Sequence, residues 1–475
     1  MSAKNGSESL LDFQLLLRSV SGICISECKN NIFFSSVATD SRAVEKNSLF
    51  VPLVGEKQNG HNYIPSALEN GASIVFVERA EYEQKKSIYT ALSEKNSAAF
   101  VMVENNLSAL QALAAAYVDK FPSLVKIGIT GSSGKTTTKE LLVALLSQKY
   151  SVIANEGNLN SETGLPLSVF KIRENHEVGV FEMGMNRVGE IGELARVLHP
   201  KYAVITNIGT AHIGILGSRK NIAAEKKKIF SEFSGKDCVA FVPKENDFAG
   251  FLSEGVNGEV VRYGGDDGEI VFLEDCGIDG SRFSVRGVEM KLGIPGIYNF
   301  KNACAAIRVA LLLNVSPEQI KAGIESVKPI FGRSQVLRGK YTIVQDCYNA
   351  NPDSMEKSID FCASVKTAGK KIFVLGDMLE LGADSAAEHS KIGYLAATKG
   401  ADLTVFVGDE SRAAFESAKK IAPNAKILYF SGRSDDTISA VASAISEFAC
   451  KGDFILLKAS RGIGLERLTK MLLGS

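Results

Sequence analysis

Short apolar runs alternate with longer segments of helical periodicity along most of the 475-residue chain. Val178–Phe181 and Ala203–Thr206 are short runs bounded by turn residues, a pattern typical of buried parallel strands. Leu107–Lys120 instead places apolar residues three and four positions apart, which predicts an amphipathic helix. This alternation of strands and helices predicts an α/β fold.

The strand–helix pattern restarts twice, which predicts three domains. A small α/β domain is expected over residues 1–121, and Phe121-Pro122 is the predicted linker because the residue before proline disfavours helix. A central domain is expected over residues 122–329. A doubly wound, Rossmann-like domain is expected over residues 330–475, where the first predicted strands start about thirty residues apart, the length of a βαβ unit.

Residues 259–295 differ in pattern from the rest of the central domain. Short runs alternate there with Gly and Asp turns, which predicts a small antiparallel annex. These runs are Val260–Tyr263, Ile270–Leu273, Phe283–Val285 and Met290–Leu292.

Composition narrows the classes of function. Lysine plus arginine and aspartate plus glutamate both total 54, whereas a general nucleic-acid binder usually has a basic excess. The N-terminus has no basic stretch followed by an apolar core, and no apolar run approaches the length of a membrane span. The nearest cysteine pair, Cys24 and Cys28, lacks the further ligands of a zinc site. We therefore expect a cytoplasmic enzyme whose cysteines are mostly reduced and buried.

The most informative segment is a glycine-rich loop between the apolar run Val125–Thr130 and a helical pattern through Gln148. Its sequence is Gly131-Ser132-Ser133-Gly134-Lys135-Thr136-Thr137. Glycines let backbone N–H groups turn toward phosphate oxygens, and the helix N-terminus adds the positive end of its dipole. Lys135 can reach the outer phosphates of a nucleotide, and the Thr136 hydroxyl can ligate Mg²⁺. The alternative is a glycine turn that only starts a helix, but the strand, the Lys-Thr pair and the helix in register favour phosphate binding.

Polar residues also follow the two strands predicted after this loop. Glu182 directly follows Val178–Phe181, and His212 lies in the loop after Ala203–Thr206. The carboxyl ends of parallel strands share one edge of a sheet, and ligands bind at that edge. Glu182 can therefore hold Mg²⁺ beside the phosphate loop, and His212 is favoured as a functional residue. The alternatives are an exposed turn acid and a structural histidine.

Two further groups have ordinary interpretations beside the functional ones. Asn155, Asn158 and Asn160 follow the predicted strand Ser151–Ala154, and their amides can bind phosphate or substrate carbonyls, although such clusters are usually turns. The run Lys226–Lys228 is typical of a solvated helix face, an interpretation that we accept for Lys227 and Lys228.

The C-terminal domain has polar loops after two predicted strands, Asp346–Ser354 and Gly376–Gly382. Asp346 could bind ribose hydroxyls. Each loop could also be an ordinary βα connection with an N-capping acid. Two such loops at one sheet edge indicate a site that faces the nucleotide-binding domain.

Together these motifs resemble the Mur ligase family, whose members are ATP-dependent amide-bond ligases that build the peptidoglycan stem peptide. The resemblance spans all three domains and rests on Gly131–Thr137, Glu182 with Gly184, Thr206–His212, the Lys226 helix, Gly296–Asn302, Gly332-Arg333 and Asp346–Pro352. Within the family, Tyr348–Met355 and Gly376–Gly382 are similar to the motifs of the member that adds D-alanyl-D-alanine to UDP-N-acetylmuramoyl-tripeptide.

The N-terminal domain extends the resemblance. Thr39–Arg42, Leu49–Gly55 and Gly60-His61 are similar to UDP-sugar-binding motifs of that member. The resemblance implies that Ser41 and Arg42 contact the UDP-muramoyl part of the substrate. The residues alone make Arg42 a suitable fork for phosphate or carboxylate, with an ordinary surface arginine as the alternative.

The resemblance implies ATP and Mg²⁺ as cofactors and an acyl phosphate as intermediate. The implied catalytic residues are Lys135, Glu182, His212 and Lys226. One Mg²⁺ would be held by Thr136 and Glu182, and the second by His212 and a carbamylated Lys226. Nucleotide contacts beyond the loop are implied for Asn302, Arg333 and Asp346, and substrate contacts for Asn158, Asn160, Tyr348, Asn349 and Asn351. The expected partners are UDP-N-acetylmuramoyl-tripeptide and D-alanyl-D-alanine, and we expect a monomer that binds no nucleic acid.

Other classes of protein agree less well with the sequence motifs. A sister ligase that adds the third stem residue has an Asp-Asn-Pro-Arg motif that is absent here, and a folylpolyglutamate-type ligase lacks the N-terminal motifs. A non-catalytic P-loop switch would not need Glu182, His212 and Lys226 together. The chain departs locally from the family pattern at Ser161, Gln345, Cys347 and Ala459.

Overall fold

The computed structural model describes residues 9–26 and 32–473. These residues form three α/β domains, so the predicted fold class is confirmed. Among the cysteines in these ranges, four are free and buried, as expected, but Cys24 is disulfide-bonded. Cys28, the second member of the nearest pair, lies outside the described residues.

A mostly parallel sheet forms the N-terminal domain. Its strands are β1 (Ile23–Cys24), β2 (Ser36–Ala38), β3 (Ser48–Phe50), β4 (Ala72–Glu78) and β5 (Ala99–Val103). Its helices are α1 (Phe13–Ser19), α2 (Ile64–Glu69), α3 (Arg79–Gln84), α4 (Lys86–Asn96) and α5 (Asn106–Val118). The strand order is β1-β5-β4-β3-β2, and β1 is the antiparallel member.

The central domain is built on a parallel sheet with the phosphate loop at its middle. Its strands are β6 (Val125–Thr130), β7 (Val152–Ala154), β8 (Val178–Glu182), β9 (Tyr202–Ile205), β10 (Val239–Pro243) and β11 (Glu259–Tyr263). Its helices are α6 (Lys135–Leu146), α7 (Gly164–Val169), α8 (Glu190–Leu198), α9 (Ile213–Leu216), α10 (Arg219–Lys227), α11 (Ala249–Ser253), α12 (Ile297–Leu312) and α13 (Pro317–Ser326). In the order β11-β10-β9-β6-β8-β7, β6 lies between β8 and β9. The loops that follow these three strands are therefore neighbours at a topological switch point, where ligands bind in such sheets.

The antiparallel annex is smaller than predicted. It contains β12 (Ile270–Asp275), β13 (Ser281–Val285) and β14 (Val288–Leu292). The assignment of Val260–Tyr263 to the annex is wrong, because β11 pairs in parallel with β10 at the edge of the central sheet. Its Glu259 and Arg262 are exposed, so β11 lacks the continuous apolar run of a strand buried on both faces.

The C-terminal domain has a second sheet with its own switch point. Its strands are β15 (Gln335–Arg338), β16 (Thr342–Asp346), β17 (Lys371–Gly376), β18 (Leu403–Val407), β19 (Ile427–Phe430) and β20 (Phe454–Lys458). Its helices are α14 (Pro352–Ser364), α15 (Ser385–Thr398), α16 (Arg412–Ile421), α17 (Asp435–Phe448) and α18 (Glu466–Leu473). In the order β15-β16-β20-β17-β18-β19, only β15 is antiparallel to its neighbour. The last strand therefore lies beside β16, which pairs Asp346 with Lys458.

The N-terminal domain is fixed to the central domain through α5. Leu110 and Leu113 are fully buried in an apolar core that also contains Leu165 and Leu194 of the central domain. Burial of each such leucine contributes roughly 1.5–3 kcal/mol relative to exposure. None of the helices in the described ranges is long and apolar enough to cross a membrane.

Candidate active site

A cavity of about 860 Å³ lies where the carboxyl ends of the central and C-terminal sheets face each other. It brings together most of the residues predicted for a nucleotide and substrate site. These are Ser132, Ser133, Gly134, Lys135, Thr136, Thr137, Asn158, Asn160, Glu182, His212, Asn302, Arg333, Asp346, Tyr348, Asn349 and Asn351. Gly131, Lys226, Ser41 and Arg42 are not among its lining residues.

Two glycines determine the shape of the phosphate loop. Gly131 has a φ of +153°, and a Cβ atom there would lie 1.8 Å from Thr206 Oγ1. Gly134 has a φ of +79° at the start of α6, and a Cβ atom there would lie 2.4 Å from Asn302 Oδ1. The absence of side chains lets the loop fit closely between the end of β9 and helix α12.

Asn207 fastens the loop, a role that the sequence alone did not predict. Its Oδ1 accepts hydrogen bonds from the N–H groups of Ser132 and Ser133 at 3.1 and 2.9 Å. Its Nδ2 donates to Ser133 Oγ at 2.6 Å. The available signal was the position of Asn207, two residues after the end of β9, because β9 lies next to β6 and its carboxyl end faces the loop.

Glu182 lies on the other side of the loop, at the end of β8. Its side chain is 3% exposed. Its Oε2 accepts a hydrogen bond from Thr136 Oγ1 at 2.6 Å, and its Oε1 accepts one from Asn160 Nδ2 at 2.6 Å. Asn155 exchanges two hydrogen bonds with the Glu182 backbone, at 2.9 and 3.0 Å. Glu182 Oε2 is therefore held by the first turn of α6, and Oε1 is held by the loop after β7.

Lys226 is buried in the last turn of α10, and only 1% of it is exposed. Burial first, and then the nearby charge of Lys135, lower the pKa of Lys226 well below its ordinary value. Burial thus disfavours the charged form, and the solvated-face interpretation does not describe Lys226.

His212 begins the short helix α9, with a φ of +65°. Its Nδ1 atom is buried and has no hydrogen-bond partner within the described ranges. Burial, Lys135 and Lys226 together lower the pKa of His212 to about 3, so the ring is neutral near pH 7. Glu380 Oε2 of the C-terminal domain lies 3.6 Å from Nδ1, which is too far for a hydrogen bond.

Lys135 has its ammonium group folded back onto its own loop. Its Nζ atom donates to Gly131 O at 3.0 Å. Burial lowers the pKa of Lys135, Glu182 opposes this, and Arg333 across the cavity lowers it further. The charges of two domains therefore act on one another across this cavity.

Arg333 and Asp346 form the C-terminal wall. The Arg333 guanidinium lies 4.3 Å from the centre of the Tyr348 ring, within the range of a cation–π contact. Asp346 Oδ2 accepts hydrogen bonds from Ser358 Oγ at 2.5 Å and lies 2.9 Å from Lys458 Nζ. Lys458 was not predicted as a site residue, because its contact with Asp346 depends on β20 lying beside β16.

Asn349 and Asn351 both have structural contacts. Asn351 is the N-cap of α14 and accepts from Ser354 N at 2.9 Å within a capping box, followed by Pro352. Asn349 O accepts from Lys458 Nζ at 2.8 Å. Their placement at the cavity thus follows from how α14 begins.

The two predicted residues of the N-terminal domain lie apart from the cavity lining. Ser41 is buried at the start of a 3₁₀ turn, and Arg42 is exposed. The Arg42 guanidinium contacts Asp40 through Nε at 3.0 Å and Nη2 at 2.6 Å. This hydrogen bonding lowers the pKa of Asp40 to about 2, so any anion that binds Arg42 would have to compete with this carboxylate.

Comparison with known proteins gives matches in all three domains. Family models match residues 34–118 (Mur ligase family, catalytic domain), 129–310 (Mur ligase middle domain) and 332–461 (Mur ligase, glutamate ligase domain). The UDP-N-acetylmuramoyl-tripeptide--D-alanyl-D-alanine ligase of Treponema pallidum is 42% identical over 464 residues, which cover 98% of this chain and 99% of that protein. The chain belongs to the Mur ligase family.

Solved structures of Mur ligases agree with this assignment. MurF from Acinetobacter baumannii superposes with a TM-score of 0.85 at 29% identity, over 97% of this chain and 98% of that one. MurF from Thermotoga maritima, solved in complex with ADP, superposes with a TM-score of 0.76 at 29% identity, over 92% and 96%. The predicted family is therefore confirmed. The cavity lies between the segments that the Mur ligase middle-domain and glutamate-ligase-domain models match.

Proposed function

We propose that this Mur ligase adds D-alanyl-D-alanine to UDP-N-acetylmuramoyl-tripeptide, with ATP converted to ADP and phosphate. The observation that carries the proposal is the shared cavity, in which the phosphate loop and Glu182 face the C-terminal loop Tyr348–Asn351. Support comes from the Treponema pallidum relative, which is a UDP-N-acetylmuramoyl-tripeptide--D-alanyl-D-alanine ligase, and from the ADP complex of the Thermotoga maritima structure.

The first step activates the acceptor. A terminal carboxylate oxygen of the tripeptide attacks the γ-phosphorus of ATP, the bond from that phosphorus to the bridging oxygen breaks, and ADP leaves with the electron pair. Both reactants are anions, so the site must supply positive charge. Lys135 and the N-terminus of α6 supply it at the loop, and Arg333 supplies it from the opposite wall.

The second step forms the amide. The amine nitrogen of D-alanyl-D-alanine attacks the acyl carbon, the bond from that carbon to the phosphate oxygen breaks, and phosphate leaves while the nitrogen loses a proton. Water would hydrolyse the acyl phosphate, so the cavity must be closed during this step. The position of the site between two domains suits such closure.

The donor atoms around the loop fit Mg²⁺. The Glu182 carboxylate and Thr136 hydroxyl are adjacent oxygen donors, and His212 offers an unpartnered Nδ1. The described residues contain no group of three or more His, Cys, Asp and Glu side chains that could hold a metal. A carbamate formed on Lys226 would add oxygen donors beside His212, which is why we propose that Lys226 is carbamylated. Bound Mg²⁺ would offset the negative charge of the phosphates.

The remaining assignments complete the proposal. Asn302, Arg333 and Asp346 contact the nucleotide, while Asn158, Asn160, Tyr348, Asn349 and Asn351 contact the substrates; Ser41 and Arg42 bind the UDP-muramoyl part. We propose domain boundaries at residues 121/122 and 329/330, a monomer, and, because the reaction consumes ATP, a cytoplasmic location.

Phosphate release from purified enzyme tests the proposal. With ATP, Mg²⁺ and UDP-N-acetylmuramoyl-tripeptide present, release should rise when D-alanyl-D-alanine is added and should fall to background when either substrate is omitted. A free diamino acid with the UDP-linked dipeptide is the control for the sister activity. Faster release with that pair would replace the proposed activity.

A further inference from the structure

One acid of the C-terminal domain contacts the backbone of the central domain next to the active site. Asp353, in the first turn of α14, accepts hydrogen bonds at Oδ2 from both the N–H and the Oγ1 hydroxyl of Thr210, the latter at 2.8 Å. A Cβ atom at Gly209 would lie 2.2 Å from the same Oδ2 atom. The Asp353 carboxylate therefore approaches the backbone closely at position 209, which is possible because Gly209 has no side chain.

Residues 207–210, which include the Thr210 partner of Asp353, also form hydrogen bonds with the phosphate loop. Gly209 N donates to Ser132 Oγ at 2.9 Å, and Asn207 accepts from the Ser132 and Ser133 amides. His212 follows two residues after Thr210. The position of the C-terminal domain is thus connected to the loop through one short, hydrogen-bonded segment.

The usual role of an acid in the first turn of a helix does not account for these contacts. Such an acid interacts favourably with the helix dipole, but the cap of α14 is already formed by Asn351. Within the described ranges, both side-chain hydrogen bonds of Asp353 go to Thr210, in another domain. A carboxylate that accepts two donors is well suited to hold two domains together, because charge-assisted hydrogen bonds are stronger than neutral ones.

We propose that Asp353 is a positioning residue that docks the C-terminal domain on Thr210 and thereby orders the segment that fastens the phosphate loop. The inference rests on the proposed function for its kinetic consequence, but the docking itself does not depend on which substrates are used. Loss of Asp353 should affect nucleotide binding to the loop only slightly. Phosphoryl transfer should be affected more, because it requires the central and C-terminal walls of the cavity to be correctly positioned.

The test compares full-length wild-type enzyme with Asp353→Ala, Asp353→Asn, Thr210→Val and the Asp353→Ala/Thr210→Val double variant. Asp436→Ala is the matched control, because Asp436 is also a first-turn acid, on α17, and its side chain is exposed. Two experiments are made. Phosphate release gives kcat and KM for ATP. Amide hydrogen exchange of residues 207–212 is followed with a non-hydrolysable ATP analogue and UDP-N-acetylmuramoyl-tripeptide bound.

Asp353→Ala should lower kcat about tenfold, with a smaller change in KM for ATP, and should speed exchange of the Thr210 amide by a similar factor. Asp353→Asn should lie between Asp353→Ala and wild type, because its amide oxygen still accepts a hydrogen bond. The double variant should be no worse than Asp353→Ala, since Thr210→Val then removes a partner already lost.

The proposal is overturned if Thr210 exchange is unchanged in Asp353→Ala, if the losses of the two single variants add, or if Asp436→Ala causes the same loss. A wild-type enzyme without phosphate release that depends on D-alanyl-D-alanine would refute the proposed function instead. The exchange experiment would still decide the role of Asp353.

Discussion

Thr136 Oγ1 and Glu182 Oε2 are joined by a 2.6 Å hydrogen bond although 46 positions separate them in the chain. The contact exists because β6 and β8 are neighbours in the central sheet, so the helix after one strand starts beside the end of the other. A hydroxyl and a carboxylate at this distance can share one divalent cation once the hydroxyl proton turns away.

Glu182→Gln keeps the size of the side chain and removes its charge. We expect its kcat to fall roughly 100-fold, the magnitude typical of losing a group that stabilises transition-state charge. The Mg²⁺ concentration for half-maximal activity should rise as well. Glu156→Gln, in the exposed loop after β7, is the control. Unchanged Mg²⁺ dependence of Glu182→Gln would exclude Glu182 as a metal ligand.

Lys135→Ala should reduce turnover far more than it weakens binding of the UDP-linked substrate, because the ammonium acts mainly on charge that develops during phosphoryl transfer. Phosphate release gives the turnover, and titration calorimetry gives the Kd of the UDP-linked substrate. Near-normal turnover would show that the loop around Lys135 is only a helix start.

Lys226→Ala should lose most activity and regain part of it when short carboxylic acids are added, since these can fill the space of the lost carbamate. Intact-protein mass spectrometry under CO₂ should show the carbamate on wild type and not on the variant. Lys220→Ala is the matched control, since Lys220 is exposed on the same helix α10. Full activity of Lys226→Ala without any added acid would show that Lys226 has only a structural role.

The Arg333–Tyr348 stack should matter for the nucleotide. Tyr348→Ala should raise KM for ATP about threefold, because a partly exposed cation–π contact contributes about 0.5–1 kcal/mol. Tyr348→Phe keeps the ring and should stay close to wild type. Equal effects of the two substitutions would instead assign the role to the tyrosine hydroxyl.

The parts of the fold that depend on local pattern could be predicted from the sequence. The strand–loop–helix around Lys135 was recognisable because apolar run, glycines and helical periodicity follow one another directly. β11 was misassigned because this edge strand is only partly buried, with exposed Glu259 and Arg262, and so lacks the apolar run that is typical of a central parallel strand. The fold class was still predicted correctly, because β8 and β9 are buried and their sequences are typical of parallel strands.

The parts of the site that depend on packing between distant segments could not be predicted. Asn207 and Asp353 act through partners that lie at least 74 and 143 residues away, and no spacing rule connects them. Lys458 meets Asp346 only because the last strand inserts beside β16. Arg42 was predicted from its side-chain chemistry as a suitable fork for phosphate or carboxylate, whereas its contact with Asp40 could be found only from the structure.

The mass of the product tests the central claim most directly. Wild-type enzyme is incubated with ATP, Mg²⁺, UDP-N-acetylmuramoyl-tripeptide and D-alanyl-D-alanine, and the UDP-linked species is analysed by mass spectrometry. The account predicts that its mass increases by one D-alanyl-D-alanine minus one water, with one phosphate released per product. Phosphate release with an unchanged UDP-linked species, or a mass gain only from a different amine, would contradict it.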